Sequence, residues 1–97
     1  MRYCHVRNQC LNIRLPKEID HYQAEKIREE CELMFLKAPV RDIIFDFSQT
    51  VFMDSSGIAL ILRAQQRMQL LDGSLLVCNV PAQAKRVLDA AGIGRLV

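Results

Sequence analysis

Apolar and polar residues alternate along the first part of the chain, as they do in β-strands. The segment LNIRL (11–15) alternates cleanly, which predicts a strand with one buried face. Residues 3–7 alternate more weakly, and RNQ between the two runs predicts a hairpin turn. Pro16 ends the second strand, because proline has no N–H to donate to a sheet. The chain is therefore expected to open with an antiparallel hairpin.

The pattern then changes to helical spacing. Asp20 followed by Gln23 is typical of the capping box at the start of a helix. Pro39 closes the predicted helix, since proline is not tolerated in a helix interior. Charged residues lie mostly on the outer faces of this helix. Its apolar face consists of Ala24, Ile27, Cys31, Met34 and Ala38.

Two later apolar runs predict strands that are covered on both faces. IIFDF (43–47) is almost continuously apolar, with Asp46 near its end. LLVCNV (75–80) has the same character. RLV (95–97) is a candidate for a last short strand.

Two more helices are predicted from apolar periodicity and from their end signals. The second helix runs from Ser55 to about Leu71 and stops at Asp72 and Gly73, with Gly73 in the left-handed conformation. Pro81 suits the first turn of the third helix, which ends at Gly92. The apolar stripe of that helix consists of Ala84, Val87, Leu88 and Ala91.

The predicted order of elements is hairpin, helix, strand, helix, strand, helix. Strands separated by helices pair in parallel through right-handed crossovers. With 97 residues, of which 51% are hydrophobic, the chain has the size of one domain. The expected fold is a single α/β domain (1–97). In it a small mixed sheet, made of the N-terminal hairpin and parallel strands, packs against three to four helices.

Charge and hydropathy exclude several classes of protein. The net charge is only +2, and Lys and Arg are interleaved with Asp and Glu, so the basic stripe typical of nucleic-acid binding is absent. No apolar run approaches the about 18 residues of a membrane span. The segment MRYCHVRNQC (1–10) lacks the apolar core of a signal peptide. We therefore expect a cytoplasmic protein that contacts neither nucleic acid nor membrane directly.

The four cysteines raise the question of metal binding. None belongs to a C-x-x-C pair, and no histidine lies at zinc-finger spacing. Free thiols are commonly buried as small hydrophobic groups. We therefore expect no metal, and buried positions for Cys4, Cys10, Cys31 and Cys78.

The segment FMDSSGIA (52–59) places two serines at the predicted start of the second helix. Open α/β sheets carry their functional sites at the carboxyl ends of strands, where this segment falls. N-capping by Asp54 or Ser55 explains one polar residue but not three in a row. The alternatives are a serine that attacks a substrate and a serine that accepts a phosphate.

A nucleophilic role for either serine fits poorly. The nucleophile elbow G-x-S-x-G needs a glycine where Met53 stands, and Ser56 has no glycine at either required position. Both histidines, His5 and His21, precede the serines, whereas in the α/β-hydrolase fold, to which this elbow belongs, the catalytic histidine follows the serine. Neither G-x-x-x-x-G-K-[ST] nor G-x-G-x-x-G is present. The chain is therefore not expected to be an enzyme.

One face of the second helix carries a serine together with apolar residues. Helical spacing aligns Ser55 with Ala59, Leu62, Arg63 and Gln66. If this face is exposed, an apolar patch lies beside a modifiable hydroxyl, as at many protein-binding surfaces. The alternative is that Leu62 belongs to the core.

At this point the residues resemble a known family. IIFDFSQTVFMDSSGIALIL (43–62) is similar to the signature of STAS-domain anti-sigma factor antagonists, an apolar strand, Asp-apolar-Ser, a short loop, Asp-Ser-Ser-Gly and an apolar helix. EIDHYQAEKI (18–27) resembles the start of the first helix in sporulation members of that family. GSLLVCNVPAQAKRVLDAAGI (73–93) resembles their last strand and helix. The resemblance covers almost the whole chain.

The resemblance implies a regulatory partner switch. In that family the unphosphorylated antagonist binds an anti-sigma factor that is also a serine kinase, which frees the sigma factor for RNA polymerase. The kinase phosphorylates the serine directly after the aspartate, by position Ser55, and a serine phosphatase reverses the change. Because the ATP belongs to the kinase, the resemblance implies that this chain needs no cofactor of its own. The partner-binding residues implied here are Asp20, His21, Asp54, Ser55, Ser56, Gly57, Ala59, Leu62, Arg63 and Gln66.

Three positions depart from the family pattern. Family members often carry glycine where Ala59 stands, and sporulation members carry glycine near Arg63. Pro16 replaces a more usual Thr or Gly. We expect the added bulk at Ala59 and Arg63 to affect the choice of partner more than the mechanism. Two other functions stay open from the sequence, a scaffold STAS domain that is never phosphorylated and a small ligand-binding or phosphocarrier protein.

Overall fold

The computed structural model describes residues 2–93 of the chain. Within this range the chain forms six strands and three helices, and it begins with a β-hairpin. The elements are β1 (Cys4–Arg7), β2 (Cys10–Arg14), β3 (Glu18–Ile19), α1 (His21–Lys37), β4 (Asp42–Asp46), β5 (Phe52–Met53), α2 (Ser55–Leu70), β6 (Ser74–Cys78) and α3 (Ala82–Ala90).

The main sheet has the mixed topology that the sequence predicts. Its strand order is β1-β2-β4-β6, with β1 antiparallel to β2 and the other pairs parallel. Asn8 and Gln9 form the predicted hairpin turn with φ values of 53° and 63°. A two-residue turn with both φ values positive matches the twist of the strands it joins. The α/β class and the antiparallel hairpin at the edge are thus confirmed.

Only one face of this sheet is covered by helices in the region 2–93. The inward row Cys4, Ile13, Phe45 and Val77 is buried across all four strands. The outward row includes Ile44, which is half-buried, and Leu76, which is 55% exposed. The prediction that 43–47 and 75–80 are covered on both faces is therefore wrong. Apolar residues on the open face hid the alternation that marks a half-buried strand.

A second, two-stranded sheet was not predicted. In it β3 and β5 pair in parallel, with Glu18 opposite Phe52 and Ile19 opposite Met53. Two residues are too short a stretch for a periodic signal. Ile19 and Met53 are nevertheless buried in the core, and this sheet brings the starts of α1 and α2 together.

The first helix begins as predicted, but with a different use of Gln23. Asp20 is the N-cap and accepts a hydrogen bond from the Gln23 backbone N–H at 2.8 Å. The Gln23 side chain accepts from the Tyr3 hydroxyl at 2.6 Å, so it ties α1 to the N-terminal segment. The buried residues Ala24, Ile27 and Cys31 confirm the predicted apolar face.

The end of α2 differs in detail from the prediction. The left-handed residue is Asp72, with φ of 57°, and not Gly73. Gly73 lies against the carbonyl of Arg41, where a Cβ would collide with the carbonyl oxygen. Glycine is needed at this position for close approach of two backbones, which a local pattern does not reveal.

The third helix keeps its predicted boundaries within one residue. Pro81 is its N-cap and not its first turn, and Gly92 with φ of 79° ends it. Ala84 and Leu88 are fully buried, whereas Ala91 is exposed. The candidate strand at 95–97 lies outside the described residues. None of the three helices is long and apolar enough to cross a bilayer.

The cysteines divide into two groups. Cys4 and Cys31 are buried, as predicted, with their sulfur atoms 3.8 Å apart. Cys10 and Cys78 are only half-buried, because they lie on the open face of the sheet. The prediction that all four thiols are buried is thus wrong for Cys10 and Cys78.

Candidate functional site

Two aspartates follow the paired strands of the small sheet. Asp20 comes directly after β3 and Asp54 directly after β5, and the two strands are in register. Each aspartate caps the helix that follows it, α1 or α2. The N-termini of both helices therefore lie side by side at the end of β3 and β5. The exposed His21 lies at this end, as the first residue of α1.

Asp54 is the N-cap of α2 and shapes the serine segment. Its carboxylate accepts a hydrogen bond from the Ser56 backbone N–H at 2.8 Å. Its own N–H donates to the Ile19 carbonyl at 3.0 Å, and its carbonyl accepts from Gly57 at 3.1 Å. Of the two capping candidates, Asp54 and Ser55, the structure selects Asp54. Ser55 is the first residue of the helix, and it is exposed.

The two serines lie in different depressions of the surface. Ser55 lies in a groove between α2 and α3, whose apolar lining includes Ile58, Leu62 and Val87. Ser56 is half-buried and lines a cleft between α1 and α2. The adjacent hydroxyls are thus open to different surroundings.

The cleft beside Ser56 carries basic side chains. His21, Arg28 and Arg63 line it, together with Glu25. Arg28 donates to the Glu25 carboxylate through Nε at 3.0 Å, and this hydrogen bond holds the pKa of Glu25 below its usual range. Arg63 is exposed and forms no ion pair with any residue of the described range. It is therefore available to a negatively charged group outside the domain.

Gly57 has a packing role. It is buried, and a Cβ at this position would collide with the Met53 side chain and lie 3.4 Å from Ile19 Cγ2. The structure therefore does not support its place among the predicted contact residues. The glycine of the Asp-Ser-Ser-Gly segment allows the first turn of α2 to lie directly on β5.

The other predicted residues of the α2 face are accessible. Ala59, Arg63 and Gln66 are exposed. Leu62 is half-buried at the groove between α2 and α3, so the alternative that it belongs to the core is wrong. Ala59 lines both depressions and separates them.

Several residues near Ser55 were missed by the sequence analysis. Val51 and Phe52 precede the aspartate and are 55% and 45% exposed. Arg86 and Val87 on α3 line the groove that contains Ser55. The only sequence signal for these positions was the apolar character of Val51 and Phe52 just before the serines. Nothing local pointed to α3.

Asp46 joins the loops that follow β4 and β6, at the carboxyl ends of these parallel strands. It accepts hydrogen bonds from the Asn79 side chain at 3.0 Å and from the Ser48 backbone N–H at 2.9 Å. The hydrogen bond from Asn79 lowers the pKa of Asp46, and the bonds from Ser48 lower it further. Partial burial acts in the opposite direction, but the pKa stays below its usual range. Asp46 thus stays ionised and orders the loops that lead to β5 and α3.

No group of three or more metal-ligating side chains occurs among residues 2–93. The depressions beside the two serines contain only one carboxylate, that of Glu25. Their lining of hydroxyl, apolar and basic groups suits contact with another protein better than coordination of a cation.

The fold and this site define the class of the protein. Residues 4–97 match the STAS domain family, and the chain belongs to that family. It is similar to a protein of Lysinibacillus sphaericus named anti-sigma F factor antagonist, with 29% identity over 89 residues that make up 92% of this chain and 76% of that protein. The predicted family is thereby confirmed.

Two solved structures have the same architecture. The anti-sigma factor antagonist SpoIIAA in its unphosphorylated form has a TM-score of 0.87 and 28% identity, over 96% of this chain and 82% of that one. The Bacillus cell fate determinant SpoIIAA in its phosphorylated form has a TM-score of 0.76 and 29% identity, over 95% and 83% of the two chains. The SpoIIAA-like fold is therefore shared with proteins that are known in two phosphorylation states.

Proposed function

We propose that this chain is an anti-sigma factor antagonist controlled by phosphorylation. Its unphosphorylated form binds an anti-sigma factor that is also a serine kinase, and the sigma factor is released. Phosphorylation of Ser55 ends this binding, and a serine phosphatase restores it. The chain acts as a binding protein in the cytoplasm and needs no cofactor of its own.

The observation that carries the proposal is the presentation of Ser55. This serine is exposed in the first turn of α2, directly after the capping Asp54. It lies beside an apolar groove, where a docked protein would cover it. Ser56 belongs to the same turn but is half-buried in the cleft between α1 and α2, which favours Ser55 as the phosphate acceptor.

The proposed binding surface surrounds this serine. It comprises the exposed residues at the start of α1 and on the outer face of α2, with the capping Asp54 and the half-buried Ser56 and Leu62. Arg63 contributes a cation without a partner inside the described domain. The residues assigned to the surface are Asp20, His21, Asp54, Ser55, Ser56, Ala59, Leu62, Arg63 and Gln66.

The energetics explain how a phosphate can end binding without unfolding the domain. A phosphoserine carries about −1.5 to −2 charges at pH 7. At a helix N-terminus a negative charge is favourable by roughly 0.3–1 kcal/mol. Under a docked apolar surface the same group loses its water, at a cost of several kcal/mol. A hundredfold loss of affinity requires only about 2.8 kcal/mol, so the interface cost prevails.

Phosphate mapping tests the proposal. The wild-type chain and the variants Ser55→Ala and Ser56→Ala are incubated with the cognate kinase and ATP, then mapped by mass spectrometry. We expect one phosphate on Ser55 in the wild type and in Ser56→Ala, and none in Ser55→Ala. Phosphate on Ser56 alone would contradict the proposal. Tight binding without any phosphate would favour an unphosphorylated scaffold domain.

Binding measurements test the switch itself. Ser55→Ala is expected to bind the kinase partner as the wild type does and to remain bound in the presence of ATP. Ser55→Asp is expected to fold normally and to bind at least about a hundredfold more weakly. Wild-type affinity in a folded Ser55→Asp protein would rule out phosphate as the off-switch.

A further inference from the structure

The backbone of Met53 lies at the edge of the small sheet, directly before the serine segment. In a strand, the backbone groups of successive residues point to opposite sides. Phe52 and Asp54 donate toward β3, to the carbonyls of Lys17 at 3.3 Å and Ile19 at 3.0 Å. The N–H and C=O of Met53 therefore point away from β3, toward α3.

A single side chain from α3 satisfies both groups. Gln83 Oε1 accepts from the Met53 N–H at 2.8 Å, and Gln83 Nε2 donates to the Met53 carbonyl at 3.0 Å. The side-chain amide thus takes the place that a third strand would occupy. Glutamine is suited to this role because its amide supplies both a donor and an acceptor. An ionised glutamate supplies acceptors but no donor.

Met53 is also held through its side chain. It is fully buried, and its Cγ and Sδ atoms occupy the space beneath Gly57. Met53 therefore contacts three elements, β3 through the sheet, α2 through Gly57 and α3 through Gln83. Asp54 and Ser55 follow within two residues, so the position of Met53 determines where α2 begins.

We propose that Gln83 is a positioning residue for the phosphorylation site. By fixing the Met53 backbone, it holds the junction between β5 and α2 in the conformation that presents Ser55. Gln83 also lines the groove that contains Ser55, so its bonds to Met53 connect α3 with the serine segment. The consequence for phosphorylation rests on the proposed function, whereas the effect on the Met53 backbone does not.

Amide hydrogen exchange tests the structural part without any partner. Gln83→Met keeps a similar shape and removes both hydrogen bonds, and the exposed Gln69→Met on α2 is the matched control. We expect exchange of the Met53 amide, followed by NMR, to be about five- to hundredfold faster in Gln83→Met than in the control. Equal exchange rates in the two variants would overturn the proposal.

Gln83→Glu provides a second variant that can be switched by pH. At pH 7 the carboxylate keeps the bond from the Met53 N–H and opposes the Met53 carbonyl. Near pH 4 the carboxyl becomes protonated and regains a donor. Exchange protection at Met53, compared with wild type at the same pH, should therefore recover as the pH falls. If Gln83→Glu loses the same amount of exchange protection at pH 4 as at pH 7, Gln83 does not hold Met53 through both hydrogen bonds.

Kinase assays test the consequence for Ser55. With the anti-sigma factor kinase that binds the wild-type chain and with ATP, we expect Gln83→Met to lower kcat by about tenfold or more, with KM changed less. Faster Met53 exchange together with an unchanged kcat would overturn the positioning role. If the wild-type chain accepts no phosphate, the proposed function fails, and hydrogen exchange still decides whether Gln83 holds the junction.

Discussion

At the scale of single residues, Asp54 connects stability with presentation of the site. Its carboxylate satisfies the Ser56 N–H, and its backbone joins β3 and the first turn of α2. The same residue therefore starts the helix and fixes the chain on the N-terminal side of Ser55.

Replacement of Asp54 by alanine removes this cap. We expect Asp54→Ala to lower the free energy of unfolding by about 0.5–2 kcal/mol, measured by urea denaturation. Phosphorylation of Ser55 should also slow, since the segment loses its order. Asp54→Asn is the control, because asparagine caps helices about as well as aspartate. Unchanged stability and unchanged phosphorylation in Asp54→Ala would remove Asp54 from the site.

The thiols are expected to differ in reactivity according to their burial. Burial, with the Asp42 carboxylate, raises the pKa of Cys10, and burial, with Asp46, raises that of Cys78. Contact with Cys31 and burial raise the pKa of Cys4 well above its usual range. N-ethylmaleimide should therefore modify Cys10 and Cys78 first, faster as the pH rises toward 9, because the thiolate is the reactive form.

Mass mapping during the reaction with N-ethylmaleimide checks this order. Cys4 and Cys31 should react only when urea unfolds the domain. Rapid modification of Cys4 or Cys31 in the native protein would show that the N-terminal strand is not held on the core.

At the scale of elements, the Glu30 carboxylate attaches the backbone at the start of β1 to α1. Glu30 accepts hydrogen bonds from the backbone N–H groups of Arg2 at 2.8 Å, Tyr3 at 2.6 Å and Cys4 at 2.6 Å. Burial alone would raise the pKa of Glu30, but these bonds prevail and hold it below its usual range. The ionised carboxylate therefore stabilises the folded state.

This attachment makes part of the stability dependent on pH. A carboxyl whose pKa is lower in the folded state stabilises the protein above its unfolded-state pKa of about 4.3. The contribution is lost as the pH falls through the folded-state value. Glu30→Gln should thus be less stable than wild type at pH 7, and the difference should shrink near pH 3. Urea denaturation at both pH values measures it.

The neighbouring Glu29 offers a matched control for this measurement. It is exposed on α1, so Glu29→Gln should change stability by no more than about 0.5 kcal/mol at either pH. A deficit of Glu30→Gln that is the same at pH 3 and pH 7 would show that charge is not the cause.

At the scale of the whole molecule, the two faces of the main sheet have different surroundings. The helices cover one face, and the serine site lies where α1 and α2 begin. The opposite face carries exposed and half-buried residues among 2–93, with Arg7 and Leu76 among them. A change of charge should therefore affect partner binding on the helical side only.

Charge reversal of Arg63 tests this division. Arg63→Glu is expected to weaken binding to the anti-sigma partner by tenfold or more, about 1.4 kcal/mol, while the free energy of unfolding changes by less than about 0.5 kcal/mol. Isothermal titration calorimetry and urea denaturation measure the two quantities. Arg7→Glu on the open face is the control and should bind like wild type. Equal affinities of the two variants would place the interface elsewhere.

The sequence alone determined what depends on neighbours along the chain. Asp20 at a helix start, the hairpin turn at residues 8 and 9, and the buried stripe of α1 were predicted because caps, turns and periodic faces act over a few residues. The resemblance at 43–62 likewise identified the family, since its motif is continuous in the chain.

The tertiary structure decided everything that joins distant segments. No local signal predicts the pairing of β3 with β5 or the Gln83 contact with Met53, because the two partners in each case lie about 30 residues or more apart in the chain. The open face of the main sheet likewise depends on where the helices pack. The different surroundings of Ser55 and Ser56 arise in the same way, since α3 borders one serine and α1 the other. Ser55 and Ser56 are adjacent in the sequence, but the packing of α1 and α3 against α2 gives them different neighbours. This packing exists only in the folded chain.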